Sequence, residues 1–334
     1  MNHYPVLARL GHSYLSHLHP SSSTPRTIRQ FKSAPLPVIN SPNDFFFHHQ
    51  SPPSPSSRTM ATDTSSTSSS NKRQKTTGEK PFRLIYWPGI PGRGEHIRLA
   101  FEATGTPYTD VAKTDSAIPT ITNLISEDNT GDDHHNPPPF APPILQHGDD
   151  VLISQTSNIL LYLGPKLGLV PDPKEDPVGL YHVNALALTA LDGLSNEPHD
   201  VHHPIAVGLY YEDQKTEALR RAKDYRENRL PKFLGYFERV LSGKAGGRSG
   251  EGGYLYGGKL TYADLVLFQC LDGLSFAFPN YIKKIRESGQ YDRVWKLYER
   301  VKGLETIKSY LKSERRVEYG MGIYRHYPEL DDEE

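Results

Sequence analysis

The stretch LIYWPGIPGRGEHIRLAFEATG, residues 84–105, places one tyrosine, Tyr86, just ahead of Gly89, Gly92 and Gly94. Apolar strand formers precede it and a helical pattern follows, so a phenol hydroxyl stands at a hinge where the chain can turn closely around a ligand. The three glycines do not make a phosphate loop, because Gly94 is followed by Glu95 where a lysine or a dinucleotide fingerprint is needed. A second chemical cluster is HDVHHPI, with His199, His202 and His203 within one turn. Spacings of three and four can serve a metal. No second ligand cluster accompanies them, so pocket lining or an exposed helix end is preferred and no metal is expected. Cys270 is the one cysteine, which excludes an intrachain disulfide framework and a cysteine-rich zinc site. It lies on an apolar helical stripe and reads as a core residue.

These residues need a scaffold, and composition bounds it. The chain has 334 residues, room for two domains, with a formal net charge of −1 that argues against nucleic acid as a partner. No run of about 18 apolar residues offers a membrane span. Residues 1–79 are crowded with Ser, Thr and Pro and lack a periodic apolar face, so they read as a disordered leader. Residues 1–43 carry Arg9, Arg26, Arg29 and Lys32 but no Asp before position 44 and no Glu, the composition of a mitochondrial transit peptide. Met60 offers an internal start. The expectation is a cytoplasmic protein, or a mitochondrial one if residues 1–59 are a presequence.

From Lys80 the pattern becomes that of folded protein. FRLIYW reads as a strand, GEHIRLAFEATG as a helix closed by glycine, and PYTDVAK as a second strand. A short helix and a loop fill residues 116–139. PPILQHGDDVLIS then reads as a hairpin and QTSNILLYLGPKLG as a helix. The order β-α-β-α-β-β-α over residues 80–165 is that of a thioredoxin-like domain. After LVPDPKEDP, residues 177–326 carry four stretches with helical three-to-four spacing and predict an all-helical domain. In one of them Thr261 and Asp264 form a capping box, with Leu260 and Leu265 placed as its staple. GKAGGRSGEGG, just before, reads as a flexible loop.

YWPGIPGRG, PPIL before a hairpin, QTSNILLYLG and GGKLTYADL, in that order, resemble the cytosolic glutathione transferase family. The likeness covers residues from about 81 to 320. It is to the tyrosine-type classes, sigma-, mu- and pi-like, with a fungal look. The resemblance implies an α/β plus all-α fold, thioredoxin-like then helical, and a homodimer. It implies glutathione as co-substrate with no cofactor, and detoxifying conjugation of its thiol to a small hydrophobic electrophile, with peroxidase or isomerase side activity by the same thiolate. A free thiol titrates near 8.5, and a hydroxyl donating to sulfur stabilises the thiolate that attacks. The resemblance gives that role to Tyr86. The segment from Trp87 to Gly94 holds neither Cys nor Ser, which disfavours the disulfide-exchanging classes.

The same resemblance maps the remaining site. Arg93 aligns with a basic residue that positions glutathione, and Gln155 with Thr156 matches the pair that binds the γ-glutamyl carboxylate at a helix amino terminus. Pro143 aligns with the family's cis-proline. The residue before it normally pairs its N–H and C=O with the cysteinyl backbone, but here it is Pro142, which has no N–H. Asp192 aligns with an acidic residue that reaches across the dimer. Trp87, His199, His202 and His203 fall near the electrophile pocket. No Trp, Lys or Arg occurs in residues 114–140 to take the glycyl carboxylate, leaving Lys113, His134 and His135 as neighbours. Pro142 and that gap favour an alternative, a non-catalytic binding or regulatory relative; Tyr86, Gln155 and Thr156 oppose it.

Overall fold

The computed structural model describes residues 80–244 and 253–331. The expected leader, residues 1–79, and residues 245–252 of the glycine-rich loop lie outside the described residues.

Four short strands form one mixed sheet. They are β1 (Phe82–Ile85), β2 (Tyr108–Asp110), β3 (Ile144–His147) and β4 (Val151–Ser154), in the order β2-β1-β3-β4. β1 runs parallel to β2 and antiparallel to β3, with Ile85 opposite Ile144. Alternation along β1 sends Phe82 and Leu84 into the core formed with helices α1 (Glu95–Thr104) and α3 (Thr156–Lys166), while Ile85 turns to the opposite face. There Ile85, Val111, Ile121 and Ile144 pack with helix α2 (Ala117–Leu124). This is the thioredoxin-like arrangement. PYTDVAK is strand only to Asp110, whose carboxylate accepts from the Ala112 N–H at 3.1 Å and opens a short 3₁₀ turn over Val111–Lys113. A side-chain bond of that local kind competes with strand pairing.

The second half is helical: α4 (Gly179–Leu191), α5 (Glu197–His202), α6 (Lys215–Asp224), α7 (Leu230–Ser242), α8 (Tyr262–Ala277), α9 (Pro279–Glu287), α10 (Asp292–Lys302), α11 (Glu305–Leu311) and α12 (Pro328–Asp331). α8 is its axle, with thirteen of sixteen residues buried, Cys270 among them. Its start is fixed by Asp264, which accepts from the Thr261 N–H and hydroxyl and the Leu255 N–H, each at 2.7 Å. The last predicted stripe is two helices, α10 and α11, divided at Gly303. Single π turns interrupt two others: Asp192–Asn196 between α4 and α5, and Tyr225–Arg229 between α6 and α7. Periodicity alone does not show such one-residue insertions.

Candidate active site

Tyr86 follows the last paired residue of β1 and is only 6% exposed. The chain then loops back through positive φ at Gly89 and Gly92 and enters a 3₁₀ turn, Gly92–Gly94, that runs into α1. This turn wraps the phenol. A Cβ at Gly92 would stand 2.2 Å from Tyr86 Oη, and one at Gly94 would stand 2.6 Å from Tyr86 Cγ. Absence of those two atoms is what lets the backbone reach the ring. The reward is a hydrogen bond from the Arg93 N–H to Tyr86 Oη at 2.8 Å. It occupies an acceptor site on the hydroxyl and leaves the phenol proton without an acceptor among the described residues. Burial raises the Tyr86 pKa above its ordinary 10, against the Arg93 N–H and the charges of Arg93 and Arg98. The group therefore stays protonated near neutral pH, as a hydrogen-bond donor and not a base.

Arg98 anchors the turn from beneath. It is fully buried, its Cζ lies 5.8 Å from the Tyr86 ring centroid, and its Nη1 donates to the Pro91 carbonyl at 3.2 Å. Its charge is matched by Glu95 at 3.2 Å and Asp110 at 2.7 Å. Glu95 is buried too and accepts from Tyr310 at 2.6 Å and from Arg316, both beyond α10 in the helical half. Sequence reading passed over Arg98. Its available signal was an arginine three residues after Glu95 within the apolar face of EHIRLAF.

Arg93 is exposed at its head and reaches into the helical half, where Nη2 donates to Asn196 Oδ1 at 2.9 Å. Pro142 and Pro143 precede β3, joined by a cis peptide bond, so β1–β3 pairing brings them alongside Tyr86. Thr156 opens α3 and is 5% exposed, yet its Oγ1 has no hydrogen-bond partner. Gln155 before it holds φ 74° and ψ 124°, a costly backbone for a residue with a Cβ. A strained residue beside an orphaned buried hydroxyl at a helix amino terminus has the chemistry to bind a carboxylate.

The other expected residues are more scattered. Trp87 is half-buried and packs against the Ile85, Val111, Ile121 and Ile144 cluster. His199, His202 and His203 do come together on α5 and its end, with ring centroids 4.7–5.2 Å apart. His202 donates from Nε2 to the Ile323 carbonyl at 3.0 Å. Burial first, then neighbouring cations, lowers all three pKa values: His202 to about 3, His203 to about 4, and His199 by an amount that keeps the same direction. Asp192 is exposed at the end of α4, on a face shared with Tyr181, Ala185 and Leu188. Lys113 donates to the Glu314 carbonyl at 3.2 Å, while His134 and His135 stand exposed in the loop before β3.

Comparison with known proteins agrees with this construction. The family described as glutathione S-transferase, C-terminal domain, matches residues 199–314. A glutathione S-transferase of Plasmodium falciparum is 25% identical over 239 residues, covering 71% of this chain and 98% of its own. Glutathione S-transferase Mu 2 of Rattus norvegicus is 26% identical over 238 residues, 70% of this chain and 92% of its own. The solved sigma-class enzyme of Fasciola hepatica superposes with a TM-score of 0.51 at 18% identity, covering 70% of this chain and 96% of that one, a likeness of fold. With a thioredoxin-like half carrying the tyrosine turn, a helical half matched by the family model over residues 199–314, and relatives aligned along nearly their whole lengths, the chain is similar to the cytosolic glutathione transferase family.

Proposed function

We propose that the chain is a glutathione transferase in which the Tyr86 hydroxyl donates a hydrogen bond to the sulfur of bound glutathione, whose thiol proton passes to solvent while the phenol keeps its own. The thiolate so stabilised attacks an electrophile with an apolar body. The observation that carries this reading is the Arg93 N–H to Tyr86 Oη bond, which leaves the phenol a donor with its proton uncommitted. Thr156 Oγ1, orphaned at the start of α3, supports a γ-glutamyl carboxylate site, and Arg93 supplies a cation between the two halves. No cofactor enters the scheme. Pro142 contributes a carbonyl and no N–H, so glutathione is held by one backbone bond fewer and binds more weakly.

The test is the ultraviolet absorbance of bound glutathione thiolate against pH, in the native chain and in Tyr86→Phe. Each unit by which the hydroxyl lowers the thiol pKa corresponds to about 1.4 kcal/mol. An unchanged thiol pKa in the variant refutes the role, and failure to bind immobilised glutathione would favour a non-catalytic relative.

A homodimer fits the same reading. Tyr181 and Leu188 line an exposed face of α4 that ends in Asp192, and Phe140, 90% exposed, stands just before Pro142. Apolar side chains of that size are usually covered, and a second copy would bring Asp192 to the partner's glutathione amine. The site residues and their roles, like a cytoplasmic location, are part of this proposal.

A further inference from the structure

We propose that the second substrate carries a carboxylate and that Arg325 receives it; this rests on the glutathione transferase reading above. Arg325 belongs to the segment that follows α11 and returns across the helical half. That segment is pinned in three places. Tyr324 is buried and donates to the Leu194 carbonyl at 2.7 Å, and its ring fills space that a Cβ at Gly273 would occupy, 2.2 Å from Cδ2. The Ile323 carbonyl accepts from His202. A Cβ at Gly322 would stand 3.9 Å from Ile90 Cβ, so the segment abuts the loop that follows Tyr86. Arg325 is thus delivered to the three-histidine cluster by a fixed backbone, its Nε held to the Gly322 carbonyl at 3.3 Å.

The charges there do not cancel. The Ile323 carbonyl that His202 meets is two residues before Arg325, and the positive charge of Arg325 acts on His199, His202 and His203, with that of Arg93 acting on His199 as well. Neither arginine is paired with a carboxylate among the described residues. Asp200 has Oδ1 3.7 Å from His199 Nδ1 and is more than half exposed. Glu197 is committed to Arg229 and Arg221. The imidazoles bring no compensating anion. His202 donates from Nε2, which leaves its buried Nδ1 as an acceptor with no partner. His203 Nδ1 faces Gln214 Nε2 at 3.3 Å, and Gln214 Oε1 is taken by the Ile205 and Ala206 N–H groups. That assignment makes Nδ1 the acceptor and puts the His203 proton on Nε2. Glutathione engages Arg93 in the proposed scheme, so Arg325 remains for the second substrate. A purely apolar ligand would desolvate that guanidinium without replacing its hydrogen bonds, whereas a carboxylate replaces them with charge-assisted ones.

Two aryl chlorides that differ by one carboxylate test the idea: 2-chloro-1,3-dinitrobenzene and 4-chloro-3,5-dinitrobenzoate. In each the thiolate sulfur forms a bond to the ring carbon and chloride leaves with the bonding electron pair. The readout is the ratio of kcat/KM values, benzoate over neutral. It should fall about tenfold in Arg325→Gln, mostly through KM, which is the worth of one charge-assisted hydrogen bond. Arg325→Lys should keep most of it, and added salt should erode it in the native chain. An unchanged ratio in Arg325→Gln, or an equal fall in Arg220→Gln on the exposed side of α6, overturns the proposal. Calorimetric binding of 3,5-dinitrobenzoate against 1,3-dinitrobenzene needs no turnover. If it shows an Arg325-dependent preference while neither chloride reacts, the thiolate reading has failed and this one stands; no preference in binding overturns it.

Discussion

Replacing Gly94 by alanine tests how the tyrosine is held, and its size can be worked from the geometry. Gly94 has φ −65° and ψ −25°, which any residue adopts, so the substitution adds no backbone strain and its effect is steric. The new methyl would stand 2.6 Å from Tyr86 Cγ, 2.9 Å from Cδ1 and 3.1 Å from Cβ. Carbon atoms pack at about 3.5–4.0 Å, so the ring must retreat by roughly 1 Å or the turn must lift by as much. The crowded atoms are the root of the side chain and not a flexible end, so the shift is carried to the hydroxyl. Overpacking of this kind costs about 1–3 kcal/mol of stability. A displacement of about 1 Å at the reacting group costs on the order of a hundredfold in rate. The assay is urea unfolding together with kcat/KM and the pKa of the bound thiol. Gly94→Ala should be folded, less stable by that amount, and show a thiol pKa raised toward that of free glutathione. A variant with native stability and an unmoved thiol pKa would refute the packing argument and the role of the turn together.

Further outcomes follow from other residues. Arg98→Met removes the anchor on the Pro91 carbonyl and leaves Glu95 and Asp110 short of a cation, so stability should drop by about 3–5 kcal/mol, measured by denaturant unfolding. Acid should destabilise the chain from about pH 6.5 downward. His96 and His202 are held near pKa 3 against 6.5 when unfolded, so the unfolded state binds more protons in that window. Their contribution is complete above pH 6.5, and at pH 5 each has lost about 2 kcal/mol. Burial pushes Asp264 the opposite way, up to about 6, which returns about 1.3 kcal/mol over the same fall; the net is read from unfolding midpoints at pH 7 and pH 5. Thr156→Ala should raise KM for glutathione roughly tenfold, since the buried hydroxyl has no partner within the protein to lose. Phe140→Ser should weaken self-association, read by sedimentation, without changing the thermal midpoint of the monomer.

Much of this architecture was legible from residue order. Strand alternation in FRLI, the glycine after α1, and the Thr261–Asp264 pair each state a local rule that the fold obeys. Tyr86 stood out at the end of a strand before Gly89, Gly92 and Gly94, with its role supplied by the resemblance, and the structure adds the turn that closes on its ring. Arg98 was not, because a buried charge is recognisable only through partners distant in sequence; Tyr310 and Arg316 lie more than 200 residues from Glu95. The π turns were hidden for a related reason, since one inserted residue changes the helical phase without a compositional mark. Trp87 shows the limit of reading by proximity. It follows Tyr86 directly, but alternation sends it toward the α2 face of the sheet, away from the side on which the phenol packs.

The Glu95 carboxylate has a consequence for the evolution of the chain. It is the first residue of α1 in the first half, and it is completed by Tyr310 and Arg316 from the second, with Arg316 continuing to Asp272 of α8 at 3.0 Å. A thioredoxin-like half cut away from the helices would keep the buried Glu95–Arg98 pair but lose Tyr310 and Arg316 from the other Glu95 oxygen. The turn that cradles Tyr86 is therefore not a portable module. A graft of the first half onto a different helical partner would need a matching arginine and tyrosine before its tyrosine hydroxyl stood in the same place, so the two halves are bound to change as a pair.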